Sequence, residues 1–130
     1  MTMTDTNTDN RADNGVNVEA LLGAREAMTA MRPAAQFTWQ VSHEWIKGAH
    51  GRSTVDGFFG LGEQQSRPAS FELDTDHPEL FAAEDNAPTP VEVVLCGLAG
   101  CLTAGIASVA QNRGIQLRSV TATIAGDMDL

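Results

Sequence analysis

The sequence has little of several residue classes, and each shortage excludes a kind of protein. Among its 130 residues there is no tyrosine, and only 5% are aromatic. Eight basic residues stand against 17 acidic ones, which gives a formal net charge of −9. Nucleic acids and anionic membrane surfaces are themselves negatively charged, so they repel such a chain. We therefore expect neither nucleic acid nor a membrane as a partner.

Cysteine is also scarce, and the beginning of the chain lacks the apolar stretch of a signal peptide. Two cysteines do not make a disulfide framework, and the default location is the cytoplasm, where thiols stay reduced. His43, His50 and His77 show no metal-ligand spacing with each other or with the cysteines. The sequence also has no phosphate-binding glycine loop. It therefore predicts neither a metal nor another cofactor.

The amino-terminal residues 1–15 are rich in Thr, Asp and Asn, with almost no apolar side chains. This composition predicts a disordered tail, which leaves residues 16–130 as one domain with a modest core. Asn17 can cap a short helix from Val18 to Arg32. Further along, the acidic residues, among them Asp74 and Asp76, are most simply interpreted as a solvated surface.

The chain is organised around the segment from Thr89 to Gly114. Thr89, Pro90 and Glu92 form the pattern of a helix start with a capping box, and Gly114 is suited to the left-handed residue that ends a helix. No charged residue lies between positions 93 and 110, and both cysteines of the chain lie in this stretch. The pattern predicts a long helix that is apolar nearly all round and is therefore buried.

The flanking segments alternate between apolar and polar residues, as half-buried strands do. We predict strands over 36–45, 52–59 and 69–73, with a turn at 47–51 and a loop at 60–66, and renewed strand pattern after residue 114. The order β-β-β-α-β predicts an α+β fold in which an antiparallel sheet packs on the buried central helix. A sheet covers one side of such a helix, so the other side needs more chain or a second copy. A membrane span is the competing interpretation of the apolar run.

From Gln36 to Leu130 the chain resembles the OsmC/Ohr family of small bacterial stress proteins. The resemblance is carried by Thr89-Pro90, by the small-residue helix with Ala99-Gly100-Cys101, by Arg113-Gly114-Ile115, and by the final strand pattern 126–130. It implies an intertwined cytoplasmic homodimer whose two long central helices are flanked by sheets. It also implies that the carboxy-terminal third of the family domain is missing from these residues.

Many members of the family reduce organic hydroperoxides through a cysteine on the central helix, with a thiol as reductant. By its place in the motif, Cys101 resembles that peroxidatic cysteine. We expect Arg52 to stabilise its thiolate and Glu92 to orient the guanidinium. The resolving cysteine of the family lies in a later helix, beyond residue 130. Cys96 does not replace it. In an α-helix the two cysteines are about 7.5 Å apart along the axis, which exceeds the Cα separation of roughly 7 Å that a disulfide tolerates.

Two positions differ from the pattern of the peroxidase members. Val91 stands where they have a glutamate, and Ala49 stands in the turn where they have an arginine. These differences favour an alternative function, in which the protein binds an apolar small molecule or acts structurally in the stress response. In that case Cys101 is a small apolar residue that fills a gap in the core.

Overall fold

The computed structural model of the chain describes residues 12–130 and has an α+β architecture with an antiparallel sheet and a long helix near its carboxy-terminal end. This confirms the predicted fold class. Most of the predicted disordered tail, residues 1–11, lies outside the described residues. The two helices are α1 (Val18–Ala30) and α2 (Pro90–Asn112), and the strands are β1 (Ser42–Lys47), β2 (His50–Val55), β3 (Phe58–Gly60), β4 (Glu63–Gln65) and β5 (Phe71–Thr75).

The main sheet has three antiparallel strands in the order β1-β2-β5. β1 and β2 are joined at the turn Gly48–Ala49, where Gly48 has a φ of 58° that glycine adopts without strain. In register, Arg52 of β2 lies between Glu44 and Asp74 of the neighbouring strands. Successive residues of a strand point to opposite faces, so this charged row occupies one face. The other face carries Trp45 and its apolar neighbours.

A second, two-stranded sheet corrects two of the predictions. The expected strand 52–59 is interrupted at Asp56–Gly57, and its end forms β3, which pairs with β4 in a region predicted to be a loop. Leu61 and Gly62 connect the two strands with φ angles of 53° and 79°. Two positive φ angles in a two-residue connection suit the right-handed twist of a tight hairpin. Leucine rarely adopts such an angle, which is why the sequence pattern did not predict the turn.

The first predicted strand begins later than expected. Residues 36–41 leave the main sheet, and Thr38 forms an isolated antiparallel bridge with Phe59. The rings of Phe37 and Trp39 stack near Phe58, with a centroid distance of 4.7 Å between Trp39 and Phe58. The apolar alternation of this segment therefore reflects a small aromatic cluster with β3 rather than a continuation of β1.

Helix α2 begins and ends almost where the sequence predicts, but its environment differs from the prediction. The expected helix is buried by the sheet, whereas Ala110 is its only buried residue in the described chain. Val94, for example, is 71% exposed. The reason is that α1, and not the main sheet, lies against α2 within one chain. By length and composition α2 is also long and apolar enough to cross a membrane. The core helices of soluble proteins meet the same two criteria.

The predicted strands after Gly114 are not formed. Among the described residues, 115–130 form neither helix nor strand and have no ladder of backbone hydrogen bonds. The apolar alternation is present, but strands need a neighbour with which to pair, and no strand of the single chain lies beside this segment. The prediction of a fourth element of the sheet after the helix is thus wrong for the isolated chain.

The segment just before α1 is held against the far end of α2. The side chain of Asn14 donates to the carbonyl of Ile115 at 2.8 Å and accepts from the amide of Leu117 at 2.8 Å. The backbone amide of Asn14 donates to the side-chain oxygen of Gln111 at 2.6 Å. The Asn14 side chain thereby occupies the two backbone positions that a neighbouring strand would use. This contact joins residues near the two ends of the described chain.

Candidate functional site

The amino-terminal end of α2 is fixed by the predicted capping box. The Thr89 hydroxyl accepts from the amide of Glu92 at 3.2 Å, and the Thr89 amide donates to the Glu92 carboxylate at 3.0 Å. The hydrogen bond from the Thr89 backbone lowers the pKa of Glu92, so the carboxylate is ionised at neutral pH. Pro90 occupies the first turn, where its missing N–H leaves no bond unmade.

Cys101 lies in the middle of α2, and its side chain is exposed. It lines an apolar pocket of about 570 Å³ between the helix and the chain that follows it. The walls of the pocket are mostly aliphatic, and Arg113 stands among them. Aliphatic pocket residues are Leu102, Ile106, Val109, Ile115 and Leu117.

Cys96 is also exposed, but it lines a different pocket, of about 340 Å³, together with Glu92, Ala122 and Ile124. The two thiols therefore face separate surfaces of the chain. This arrangement agrees with the helical geometry that separates them. Within one chain they are not positioned as a peroxidatic and resolving pair.

Arg52 is engaged with a carboxylate on the main sheet. Its Nε donates to Oδ1 of Asp74 at 2.7 Å, and its Nη2 donates to Oδ2 at 3.0 Å. This two-point contact raises the pKa of Arg52 and, together with a hydrogen bond from His50, lowers the pKa of Asp74 to about 2. Both side chains therefore carry full charge at neutral pH.

The single chain does not bring the three predicted site residues together. Arg52 is bonded to Asp74, and Glu92 is bonded to Thr89. Within residues 12–130, neither thiol has a hydrogen bond from a basic side chain. Arg52 points to the charged face of the sheet, whereas Trp45 and Leu73 lie on the apolar face.

Two aspartates have roles that the sequence did not predict. Asp76, interpreted as solvated, is 1% exposed and accepts hydrogen bonds from the amide of His77 at 2.8 Å and from the amide and side chain of Asn86 at 2.9 Å. These bonds lower its pKa, the backbone bond from Asn86 contributing most. Asp74 joins His50 and Arg52. The sequence had no local signal of these roles, because Asp74 has the same parity in β5 as the exposed Glu72 and Asp76 follows the strand.

Comparison with known families finds a match at the carboxy-terminal end of the described residues. The family model described as "OsmC-like protein" matches residues 83–130, a range that contains α2, both cysteines and the segment after the helix. No curated protein matches the chain. Residues 83–130 of this protein are therefore similar to the OsmC-like family.

Proposed function

We propose that the protein is a thiol-dependent reductase of organic hydroperoxides, with Cys101 as the reacting residue. The observation that carries this proposal is the place of Cys101: an exposed thiol, within the OsmC-like segment, at the wall of an apolar pocket. An aliphatic wall favours an alkyl or aryl hydroperoxide over hydrogen peroxide, because burying apolar surface of the substrate is favourable.

The proposed reaction begins with the Cys101 thiolate. Its sulfur attacks the oxygen of the hydroperoxide that bears hydrogen, the O–O bond breaks, and the alcohol leaves after taking up a proton. The cysteine is thereby oxidised to a sulfenic acid, and the peroxide is reduced. A small dithiol then returns the sulfur to the thiol by way of a mixed disulfide, and water is released.

A nearby cation is needed to hold the thiol in its ionised form. We propose Arg52 for this role, with Glu92 orienting it, in an assembly of two chains. Among the described residues, the Nη1 group of Arg52 makes no hydrogen bond, so it is free to approach a thiolate without breaking the pair with Asp74. The side chain of Arg52 is about half exposed, which leaves that approach open.

The assembly that we propose is a cytoplasmic homodimer. Apolar side chains of α2 and of the main sheet are exposed in the single chain, with Trp45 72% exposed and Leu98 48% exposed. Surfaces of this kind on a protein are typical of protein contacts. The segment 115–130 also lacks a strand with which to pair, and a second copy supplies one. The pocket beside Cys101 then becomes a cleft between two chains.

The test is a peroxidase assay with cumene hydroperoxide as oxidant and dithiothreitol as reductant. We expect Cys101→Ser to lower the rate to that of buffer. Cys96→Ser is the matched control, because it removes the other thiol of the same helix and should retain most of the activity. Equal rates for the unsubstituted protein and for Cys101→Ser would reject the enzyme.

A second candidate function is binding of an apolar small molecule in the same pocket without chemistry. Three observations favour it: Ala49 in the turn, Val91 at the helix start, and the engagement of Glu92 in the capping box. In this case a fluorescent apolar probe binds equally well to the unsubstituted protein and to Cys101→Ser, and neither consumes peroxide. A structural role in the stress response would show neither binding nor turnover.

A further inference from the structure

A second cavity lies away from both thiols, where the β1–β2 turn meets the loop that leads into α2. Its volume is about 440 Å³, which is in the range of small-molecule sites. Polar side chains and small apolar residues share its wall. The polar members are Lys47, His50, Asp76, Glu84 and Asn86.

The wall of this cavity is fixed by the buried carboxylate of Asp76. Both of its oxygens accept hydrogen bonds from His77 and Asn86, and its amide donates to the carbonyl of Pro88 at 3.0 Å. A second backbone bond, from Asp85 to the carbonyl of His77 at 3.1 Å, closes the same loop. Both oxygens of Asp76 therefore have partners within the protein, and the side chain holds the wall of the cavity in place.

The loop also holds backbone strain at this place. Ala82 and Asp85 have φ angles of 58° and 56°, in the left-handed region that side chains with a Cβ disfavour. Ala82 lines the cavity, and alanine has no polar atom with which to stabilise that conformation locally. Strained residues of this kind gather at ligand sites, where the surrounding structure holds them.

Two polar atoms of the wall remain open. Nε2 of His50 is 2.8 Å from the Asp74 carboxylate, which is ionised and can only accept, so Nε2 carries the hydrogen. Nδ1 is the ring nitrogen of His50 that this bond leaves open. The amide nitrogen of Asn86 donates to Asp76 and Glu84, so its oxygen is the free end. Within residues 12–130, neither of these atoms has another partner.

The charged residues of the wall are two carboxylates and one ammonium. Lys47 donates to Glu84 at 2.8 Å, and both side chains are largely exposed. An exposed ion pair of this kind contributes little to stability, so its exchange for another ammonium costs little. Ala49, Ala82 and Ala83 provide apolar wall for a short hydrocarbon chain.

We propose that this cavity binds a small organic cation that carries a primary ammonium group. The ammonium takes the place of Lys47 at Glu84 and donates to the side-chain oxygen of Asn86, while its methylene groups lie against the alanines. The ammonium group of Lys47 competes with the ligand for the carboxylate of Glu84. The proposal is independent of peroxide chemistry, because the cavity contains neither Cys96 nor Cys101.

Trp45 provides a probe of this site, because its indole nitrogen donates to the carbonyl of Gly48 in the turn at 2.9 Å. In a Trp39→Phe background it is the single tryptophan, since the chain has two. We expect 1,4-diaminobutane to change the fluorescence of Trp45 until the site is saturated. A calorimetric titration with the same diamine should also show saturable binding. Succinate should not bind, and 1,4-butanediol should bind more weakly than the diamine.

The variants separate this site from general attraction to an acidic protein. Glu84→Gln should weaken binding of the diamine at least tenfold, and Lys47→Met should tighten it severalfold. Glu63→Gln removes an equal charge from β4, outside the cavity, and should leave the affinity unchanged. Absence of saturable binding by calorimetry would overturn the proposal. So would equal affinity in Glu84→Gln, or tighter binding of succinate than of the diamine.

Discussion

At the scale of single residues, the most constrained side chain of the described protein is Asp76. It is the one large polar side chain that is fully buried there, and it is held by three hydrogen bonds from His77 and Asn86. A buried carboxylate is tolerated only when its oxygens are satisfied in this way. The backbone amide of Asp76 also donates to the carbonyl of Pro88, the residue before the cap of α2, and so fixes the start of the helix to this loop.

We expect Asp76→Asn to lower the midpoint of thermal unfolding by several degrees. The substituted amide brings a donor to a place where three N–H groups already donate, so at least one bond is lost and a donor is left unsatisfied. Circular dichroism at neutral pH measures the change. Asp85→Asn is the control, since it alters a neighbouring carboxylate of the same loop. If Asp85→Asn lowered the midpoint of unfolding as much as Asp76→Asn does, the special role of Asp76 would be contradicted.

The pair of Arg52 and Asp74 makes stability depend on pH in the acid range. The pKa of Asp74 falls from 3.8 to about 2 in the folded chain. A carboxylate with a lowered pKa contributes stability that is complete above its unfolded value and is lost as pH falls through the folded one. We expect this loss between about pH 4 and the folded pKa of about 2.

Urea unfolding at a series of pH values provides the measurement. Asp74→Asn should show a shallower decline of the free energy of unfolding over this range than the unsubstituted protein. Glu72→Gln, on the same face of β5, should decline as steeply as the unsubstituted protein. Parallel curves for the Asp74→Asn and unsubstituted proteins would show that Asp74 is not the group that titrates.

At the scale of elements, α2 was predictable because its ends are coded locally. Thr89, Pro90 and Glu92 start it, and Gly114, with a φ of 69°, follows its end. The β3–β4 hairpin was not predictable, since Leu61 in its turn adopts an angle typical of glycine or asparagine. Gly57 lies at the break before it, where an added Cβ would meet the backbone carbonyl of Gln65. Such a contact depends on the fold and has no local signature.

The capping box of α2 provides a test at this scale. Thr89→Ala removes the hydroxyl that accepts from the amide of Glu92, and we expect it to lower the free energy of unfolding by about 1 kcal/mol. Urea denaturation measures the difference. Thr89→Ser keeps the oxygen and should recover most of the loss, and equal losses for both would show that the methyl group matters instead.

At the scale of the whole molecule, the sequence predicted the surfaces but not their state in one chain. The apolar pattern of α2 predicted a helix that the main sheet covers on one side. In the described chain only Ala110 of this helix is buried, and α1 rather than the main sheet contacts it. Arg52 and Cys101 are not brought together within the described chain, where Arg52 is bonded to Asp74. Sequence periodicity shows that a face is apolar and does not show which chain covers it.

A matched pair of leucine variants tests the proposed homodimer. Leu98→Asp places a charge on the exposed face of α2, and we expect it to shift the protein from dimer to monomer in sedimentation velocity. Leu80→Asp is the control, because Leu80 is 87% exposed on the loop before the helix and lies off that face. A monomeric unsubstituted protein would contradict the dimer, as would a Leu98→Asp protein that remains dimeric.

The contact between Asn14 and the backbone at Ile115 and Leu117 has a consequence for how the protein is made. A ribosome releases the amino-terminal residues first, and the atoms that receive Asn14 emerge about a hundred residues later, by the sequence separation of the contact. The early segment therefore remains without its partner while these residues are synthesised. Closing so long a loop is among the slower steps available to a small domain. Final docking of the amino-terminal segment is thus a step that elongation itself delays.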